Sequence, residues 1–375
     1  MPTALITRKT DGKPGQVYYP LALTTTPSPP SPLPSSHLQI AISAFALNHR
    51  DLFIRQHLYP GTTPGVPLCA DGVGTVTSTG PSDDAKAYKG KRVILLPCHG
   101  WDTDPLGPED PKGIQILGGT SLLHLGTACT SVSVSAENVA LAPAHLSDVE
   151  AAALPLVGLT AYRATLVKAA EAMGQGKRVL VTGIGGGVAL MALQFAVARG
   201  ADVWVTSGSE DKIARAVGMG ASGGVSYKVE GWEKALLEKV NGGNARGAKV
   251  FDAIIDGTGK DIVQKSVKLL RHGGVLSVYG MTVSPKMDFL MAAVLKNIEV
   301  RGSTMGSAQN FRDMIKFVEQ HKIKPVVSRV VKGLSNLEEI DGLFEDMKAA
   351  KQFGKLVVEV TDADREADKS GESKL

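Results

Sequence analysis

The sequence predicts an α/β protein with two domains. Its second half alternates β-branched strands with helices, a pattern typical of a doubly wound parallel sheet. A glycine-rich turn joins one early strand of this half to the helix that follows it. Residues 1–145 differ, because they contain short strands and long connections and little helix. A chain of 375 residues is long enough to bury two separate cores.

The first 145 residues are expected to be mostly β-structure. An alternating apolar pattern predicts a strand at 37–45, after a proline-rich, extended connector at 26–36. A helix is expected at 51–58, ended by Pro60 and Gly61. The segment 97–119 is rich in Pro, Gly and Asp and is expected to be a long irregular loop. The other short strands are expected within 1–25, 66–77, 92–96, 130–134 and 139–141.

From residue 147 onwards, helices and strands alternate. Ser147 is expected to cap a helix at 147–153, since Glu150 stands at the spacing of a capping box. Further helices are expected at 159–172, 188–199, 212–218, 231–240, 262–270, 288–296, 310–321 and 337–349. Strands are expected at 178–182, 201–206, 225–227, 250–256, 274–279, 298–302 and 355–360, with an extended segment at 323–331.

The turn after the strand at 178–182 predicts a phosphate site. Gly183, Gly185, Gly186 and Gly187 allow the backbone to turn sharply and to approach a ligand closely, and Val188 begins the helix. Free N–H groups and the positive end of the helix dipole converge there. The spacing matches a dinucleotide fingerprint only in part, so a glycine turn without a nucleotide stays an alternative.

Composition and charge exclude several classes of protein. With 43% hydrophobic and 21% charged residues, the chain has an ordinary globular composition. A net charge of +4, with scattered basic residues, does not indicate nucleic acid binding. No apolar run has the length of a membrane span, and the first residues are not typical of a signal peptide. The three cysteines are too few for a disulfide framework, which favours a reduced, intracellular setting.

The last three residues are typical of a targeting signal. Ser373, Lys374 and Leu375 form an S-K-L signal of the peroxisomal type, read by an import receptor. The polar segment before it is expected to be disordered and therefore accessible. We thus expect a peroxisomal protein, otherwise a cytoplasmic one.

Several segments together resemble the medium-chain dehydrogenase/reductase superfamily, and within it the zinc-independent quinone oxidoreductase and enoyl reductase branch. They are ALNHRD, LCADGVGTV, AAALPLVGLTAYRA, VLVTGIGGGVA, IEVRGSTMG and FGKLVVEV. The resemblance implies a GroES-like catalytic domain at 1–145, completed by 308–360. It also implies a Rossmann domain at 146–307, which binds the cofactor, and leaves 361–375 as the disordered tail.

The resemblance also allows zinc to be examined residue by residue. Where zinc members carry a Cys, a His-Glu pair and a second Cys, this chain has Asn48, Ala70 with Asp71, and Leu156. None of Asn48, Ala70 and Leu156 is a usual zinc ligand, and the loop that matches a structural zinc lobe holds only Cys98. We therefore expect no metal, and we interpret Asp71 as part of an Asp-Gly turn.

The strand at 201–206 ends without the carboxylate that binds the ribose of NAD. Ser207, Ser209 and Lys212 instead offer hydroxyls and a cation, and Tyr227 stands where relatives place a tyrosine near the same phosphate. These residues predict NADP(H), although they are also ordinary turn and helix-start residues. Further cofactor contacts are expected at the strand ends or are implied by the resemblance: Gly257, Gly280, Thr160, Ser303 and Lys355. Lys355 is equally compatible with a solvated lysine before a strand.

Without a metal, hydrogen-bond donors must stabilise and protonate a developing oxyanion. The resemblance implies Tyr59 as the proton donor and Asn48 as an orienting group. A tyrosine packed beside Pro60 is the plain alternative, and His49 and His57 are nearby alternatives as donors, although each is more often a surface or structural histidine. The predicted function is NADPH-dependent hydride transfer to a quinone or an α,β-unsaturated carbonyl or enoyl substrate. A ketone or alcohol dehydrogenase and a non-catalytic, crystallin-like NADPH-binding protein remain open. The edge strand at 298–302 favours a homodimer.

Overall fold

The computed structural model describes residues 1–243 and 250–370, and within them the elements are numbered in chain order. The strands are β1 (Thr3–Thr7), β2 (Leu21–Thr25), β3 (His37–Ala46), β4 (Asp71–Thr79), β5 (Arg92–Leu95), β6 (Cys98–His99), β7 (Gln115–Ile116), β8 (Ser131–Ser135), β9 (Val139–Leu141), β10 (Arg178–Val181), β11 (Asp202–Ser207), β12 (Gly223–Ser226), β13 (Phe251–Asp256), β14 (Leu270–Val278), β15 (Glu299–Gly302), β16 (Val327–Lys332) and β17 (Lys355–Glu359). The helices are α1 (His49–Arg55), α2 (Asp83–Lys86), α3 (Asp148–Ala152), α4 (Pro155–Tyr162), α5 (Gly187–Ala198), α6 (Glu210–Gly218), α7 (Trp232–Val240), α8 (Ile262–Leu269), α9 (Met291–Leu295), α10 (Ala308–His321), α11 (Leu337–Lys348) and α12 (Asp362–Ser370).

Unit 1 comprises Met1–Leu156 and Ser307–Leu375. Within its described residues, a sheet of seven strands runs β16-β17-β3-β4-β5-β9, and β8 also pairs with β3. Only the β16–β17 pairing in this sheet is parallel. The apolar side chains of β3 alternate with more exposed ones and join a core with α1 and α11. This β-rich unit confirms the GroES-like expectation.

Unit 2 comprises Val157–Gly306. Its described strands form a parallel six-stranded sheet in the order β12-β11-β10-β13-β14-β15. This is the strand order of a dinucleotide-binding fold. In such a fold the ligand crevice lies where the strand order reverses, which here is between β10 and β13. Helix α5 has seven of its twelve residues buried, since it is apolar nearly all round, and it lies against β10 and β11. The doubly wound prediction is confirmed.

The unit boundaries differ from the predicted changes at 145/146 and 307/308, since contacts divide the chain after Leu156 and after Gly306. Helix α3 explains the first difference, because it lies against β3 and β4 of unit 1. Its capping box is as predicted: Ser147 Oγ accepts from the Glu150 N–H at 3.2 Å and Glu150 Oε2 from the Ser147 N–H at 2.8 Å. The predicted single helix at 159–172 is broken, since a π-helical turn, Arg163–Val167, follows α4.

Two further expectations were wrong. The loop at 97–119 is not wholly irregular, because β6 and β7 pair antiparallel within it. The predicted disordered tail begins instead as α12, since the buried Asp364 carboxylate accepts hydrogen bonds from Leu334 N and from Thr361 N and Oγ1. The S-K-L residues 373–375 lie outside the described residues. Among described helices, none is long and apolar enough to span a bilayer.

Candidate functional site

The glycine turn of unit 2 is held against β11. Gly183 and Gly185 have φ of 65° and 124°, backbone angles that residues other than glycine adopt only with strain. The Gly183 N–H donates to Thr206 Oγ1 at 3.2 Å, and the Ile184 N–H donates to the Thr206 carbonyl at 2.7 Å. These two hydrogen bonds tie the turn to Thr206 of β11.

The N-terminus of α5 fits a phosphate group. Gly186 is its N-cap residue and offers no side-chain cap, so the amides of the first turn, at Gly187 and Val188, have no partner within the helix. A Cβ placed on Gly186 would meet no atom within 4 Å, which shows open space in front of the turn. Unpaired amides facing open space are suited to an anion.

Ser207, the last residue of β11, and Ser209, which follows the strand, have different roles. Ser207 is buried, and its hydroxyl donates to the Ile184 carbonyl at 3.1 Å, so it supports the glycine turn. Ser209 caps α6, and its Oγ accepts from the Lys212 N–H at 3.5 Å. An accepting hydroxyl keeps its own proton available for a ligand.

Two cations lie near these serines. The Lys212 chain passes over the glycine turn, since a Cβ on Gly185 would be 2.9 Å from Lys212 Cδ and 3.3 Å from its Nζ. Burial and the nearby Arg215 lower the pKa of Lys212. Tyr227 and Lys228 both lie over Gly208: a Cβ placed on Gly208 would be 2.7 Å from the Tyr227 hydroxyl oxygen and 3.1 Å from Lys228 Cε. Sequence reasoning missed Lys228, although a cation directly after the tyrosine was visible.

The ends of β13 and β14 are tied together at Gly257. The carbonyl of Gly257 accepts from Thr282 N at 3.2 Å and from Thr282 Oγ1 at 3.1 Å, and Gly280 lies against it. The carboxylate of the fully buried Asp256 stabilises this turn. It accepts hydrogen bonds from Thr182 Oγ1, from Thr258 N and Oγ1, and from Gly259 N. Sequence reasoning missed Asp256, although a carboxylate at a strand end before Gly-Thr-Gly could have been noticed.

Two hydroxyls of unit 2 are buried: that of Ser303 directly after β15, and that of Thr160 in α4. The Ser303 Oγ has no hydrogen-bond partner among the described residues. Thr160 Oγ1 lies 3.6 Å from the Met305 sulfur. A buried hydroxyl without a partner is costly unless a ligand satisfies it, so Ser303 fits the expected cofactor contact.

Unit 1 brings Asn48, Asp71 and Lys355 together. The Lys355 ammonium donates to Asn48 Oδ1 at 2.6 Å, to Asp71 Oδ2 at 2.8 Å and to the Leu47 carbonyl at 2.7 Å. Asn48 Nδ2 donates to Asp71 Oδ2 at 2.8 Å. Because an ammonium only donates and a carboxylate only accepts, the orientation of the Asn48 amide is determined. All three side chains are buried.

This cluster corrects two interpretations of the sequence. Asp71 is not a turn residue, because it begins β4 and is fully buried. Lys355 is not solvated, and its three N–H groups already have protein acceptors. A contact between its ammonium and a cofactor therefore requires one of these hydrogen bonds to break.

Tyr59 lies beyond the end of α1, partly buried against the core of unit 1. The Arg50 guanidinium lies over its ring, 4.7 Å from the centroid, and is fixed by the Leu117 and Gly118 carbonyls. Among the described residues, its hydroxyl makes no hydrogen bond, and none joins it to Asn48. At the start of α1, Asp51 accepts from the Asn48 N–H at 2.8 Å, and burial raises the pKa of Asp51.

Comparison with known proteins identifies the family. Residues 34–144 match the alcohol dehydrogenase GroES-like domain, and residues 187–320 match the zinc-binding dehydrogenase family. The zinc-type alcohol dehydrogenase-like protein YogA of Leptosphaeria maculans is 47% identical over 367 residues, which cover 96% of this chain and 100% of that protein. This chain belongs to the medium-chain dehydrogenase/reductase superfamily of oxidoreductases.

Other superfamily members carry different activities in their names. An acryloyl-coenzyme A reductase of Metallosphaera sedula is 29% identical over 333 residues, covering 86% of this chain and 92% of the reductase. The crystal structure of an NAD-dependent alcohol dehydrogenase matches with a TM-score of 0.78 and 29% identity, covering 96% of this chain and 100% of the other. The superfamily therefore fixes the fold and the class of chemistry, and not the substrate.

The zinc that some of these names imply does not fit the donors of this chain. At the positions matching zinc ligands, the Asn48 amide is engaged by Lys355 and Asp71, and Ala70 and Leu156 have no ligating side chain. Within 1–243 and 250–370, no three His, Cys, Asp or Glu residues are grouped so as to hold a metal ion. The segment matching the structural zinc lobe, residues 97–119, has Cys98 as its one cysteine, where a structural zinc site needs four ligands.

Proposed function

We propose that this chain is an NADP(H)-dependent, zinc-independent reductase. It transfers hydride to an α,β-unsaturated carbonyl or enoyl substrate or to a quinone. The observation that carries the proposal is the set Asn48, Ala70 and Leu156 at the positions of zinc ligands, with the Lys355 ammonium bonded to Asn48 and to Asp71. A site of this kind must use hydrogen-bond donors where a zinc enzyme uses a Lewis acid. The acryloyl-coenzyme A reductase relatives support this class of substrate.

The cofactor is held by unit 2. The uncapped start of α5 binds the pyrophosphate, and the unpartnered Ser303 hydroxyl contacts the cofactor beyond β15. Ser209, Lys212, Tyr227 and Lys228 surround the end of β11, where a 2′-phosphate needs donors and positive charge. The bound nicotinamide supplies the hydride.

Fluorescence titration with NADPH and NADH tests the cofactor assignment. We expect tighter binding of NADPH, and we expect Lys228→Ala to weaken NADPH about 10-fold or more while leaving NADH unchanged, since a charged hydrogen bond contributes about 1.5–3 kcal/mol. Lys234→Ala, at an exposed lysine of α7, is the matched control. Tighter binding of NADH by the wild type would overturn the assignment.

The proton is supplied by unit 1. Tyr59 has a hydroxyl with no protein partner in the described residues, so its proton is available to a substrate oxygen or carbon. Arg50 fixes the ring, and Asn48 is held by Lys355 and Asp71, leaving one amide N–H of Asn48 for a developing oxyanion. Tyr59 is the proton donor and Asn48 a hydrogen-bond donor in this scheme.

Tyr59→Phe tests the donor. Removal of the hydroxyl should lower turnover about 10²-fold or more and leave NADPH affinity unchanged. Tyr88→Phe is the control, since Tyr88 is also partly buried against the core of unit 1. An unchanged rate in Tyr59→Phe removes this residue from the reaction.

A second candidate, an alcohol or ketone dehydrogenase, is favoured by the 47% identity to an alcohol dehydrogenase-like protein. NADPH oxidation measured with enals, quinones and simple ketones separates the two. Turnover with ketones alone would favour the dehydrogenase. Tight NADPH binding without oxidation of NADPH by any acceptor would favour a non-catalytic binding protein.

A further inference from the structure

The Lys355 ammonium has a complete set of oxygen partners. Only 4% of Lys355 is exposed, and its nitrogen lies 2.6–2.8 Å from the Leu47 carbonyl, Asn48 Oδ1 and Asp71 Oδ2. An ammonium has three N–H groups, so each is paired. The buried ammonium therefore faces three oxygen acceptors, one of which belongs to a carboxylate.

The partners of Lys355 come from the segments that carry zinc ligands in zinc members. Asn48 stands at one ligand position, and Asp71 follows Ala70, which stands at another. Leu156, at the third, donates its backbone N–H to Asp71 Oδ1 at 2.7 Å. Three chain segments that meet around a metal ion in zinc members therefore meet here around an ion pair of opposite single charges.

The donor atoms also select against zinc. The ammonium is surrounded by a backbone carbonyl, an amide oxygen and a carboxylate oxygen, and such oxygens suit hard cations, whereas zinc prefers nitrogen and sulfur. The Asp71 carboxylate is already satisfied, by Leu156 N on one oxygen and by Asn48 and Lys355 on the other. A metal ion would have to displace the ammonium and its three hydrogen bonds.

We propose that Lys355 is the resident cation of this site and takes the structural place of a metal ion. Its ammonium joins the segments of Asn48 and Asp71 directly, and that of Leu156 through the Asp71 carboxylate. It also fixes the orientation of the Asn48 amide, so Lys355 is a positioning residue. This inference rests on the zinc-independent function proposed above. It implies that removal of the lysine side chain leaves an oxygen-lined cation site that selects small ammonium ions.

Chemical rescue tests the inference on the full chain. Lys355→Ala removes three methylenes and the ammonium, which together correspond to propylammonium. We expect Lys355→Ala to melt at a lower temperature than the wild type and propylammonium to raise its melting temperature. Tetramethylammonium, a cation without N–H groups, and neutral propanol should not. The double variant Asp71→Asn, Lys355→Ala is the matched control and should not respond, because its carboxylate is gone.

Metal content gives a second readout that is independent of turnover. After incubation with zinc sulfate and desalting, the wild type should retain no stoichiometric zinc by atomic emission. One zinc per chain that disappears in Asn48→Ala would overturn the proposal.

An equal response of the single and double variants to propylammonium would overturn it too. If Lys355→Ala does not fold, Lys355→Met should be less stable than Asp71→Asn, Lys355→Met, and equal stability would contradict the proposal. If the chain passes these tests but fails to oxidise NADPH with every acceptor tried, the proposed activity is refuted and the role of Lys355 is not.

Discussion

Removal of the Asp256 carboxylate should destabilise unit 2 and weaken dinucleotide binding. Asp256 is fully buried and accepts from Thr182 Oγ1, from Thr258 N and Oγ1, and from Gly259 N. In Asp256→Ala, Thr182 can turn to the Ile255 carbonyl, 3.4 Å away, and Thr258 is partly exposed to water. Gly259 N is buried and loses its acceptor. One or two unsatisfied buried groups cost about 1–3 kcal/mol each, so we expect roughly 1–6 kcal/mol in total.

Asp256→Asn is a matched control for this loss. Its amide oxygen can accept from Thr258 N and Gly259 N, and its NH₂ group can donate to the two threonine hydroxyls, which then act as acceptors. The asparagine variant should therefore retain most of the stability that the alanine variant loses.

Urea unfolding in a Trp101→Phe background measures the effect, because the remaining tryptophans, Trp204 and Trp232, both belong to unit 2. For a domain of roughly 150 residues, the expected loss corresponds to a fall in melting temperature of roughly 2–24 °C. NADPH titration of the same variants should show weaker binding for Asp256→Ala. If Asp256→Ala unfolds within about 0.5 kcal/mol of the wild type, these hydrogen bonds do not hold the turn.

Three further predictions address other parts of the chain. Gly185→Ala combines φ of 124° with a Cβ 2.9 Å from Lys212 Cδ, so NADPH affinity should fall about 10-fold or more, while Gly174→Ala, with no atom within 4 Å of its Cβ, should bind normally. The Thr103, Asp104 and Asp102 N–H groups lower the pKa of Glu109 to about 2, so its stabilising effect is complete above the ordinary Glu value and is lost as the pH falls towards 2. Glu109→Gln should therefore flatten the pH dependence of stability in that window, and an unchanged slope would contradict this account. The edge strand β15 and the exposed Met291, Leu295 and Val300 favour a homodimer, which Leu295→Lys with Val300→Lys should convert to a monomer by light scattering. A monomeric wild type would contradict the dimer.

Local patterns in the sequence were sufficient for much of the fold. The Ser147 capping box and the turn at 183–187 depend on residues close together in the chain, and both lie where the sequence predicts them. The Lys355–Asp71 pair joins residues 284 positions apart, and no local pattern distinguishes such a lysine from a solvated one. The same limit applies to α12, where Asp364 finds the backbone of Leu334 only in the folded chain. Long-range polar contacts of this kind override the local tendency of a polar segment to remain disordered.

The charge around Asn48 bears on which substrate the proposed reductase takes. A zinc ion polarises a carbonyl oxygen by coordinating it directly, whereas the ammonium of Lys355 is paired with the buried Asp71 at 2.8 Å and has all three N–H groups engaged by protein oxygens. The cluster as a whole is therefore close to neutral, and it offers an oxyanion one amide N–H of Asn48 rather than a cation. Reduction of a simple ketone concentrates negative charge on one oxygen, while addition of hydride to an enal or a quinone spreads it over a conjugated system. A site with neutral donors favours the second reaction, so the ratio of enal to ketone turnover should be high in the wild type, and a wild type that prefers ketones would refute this electrostatic argument.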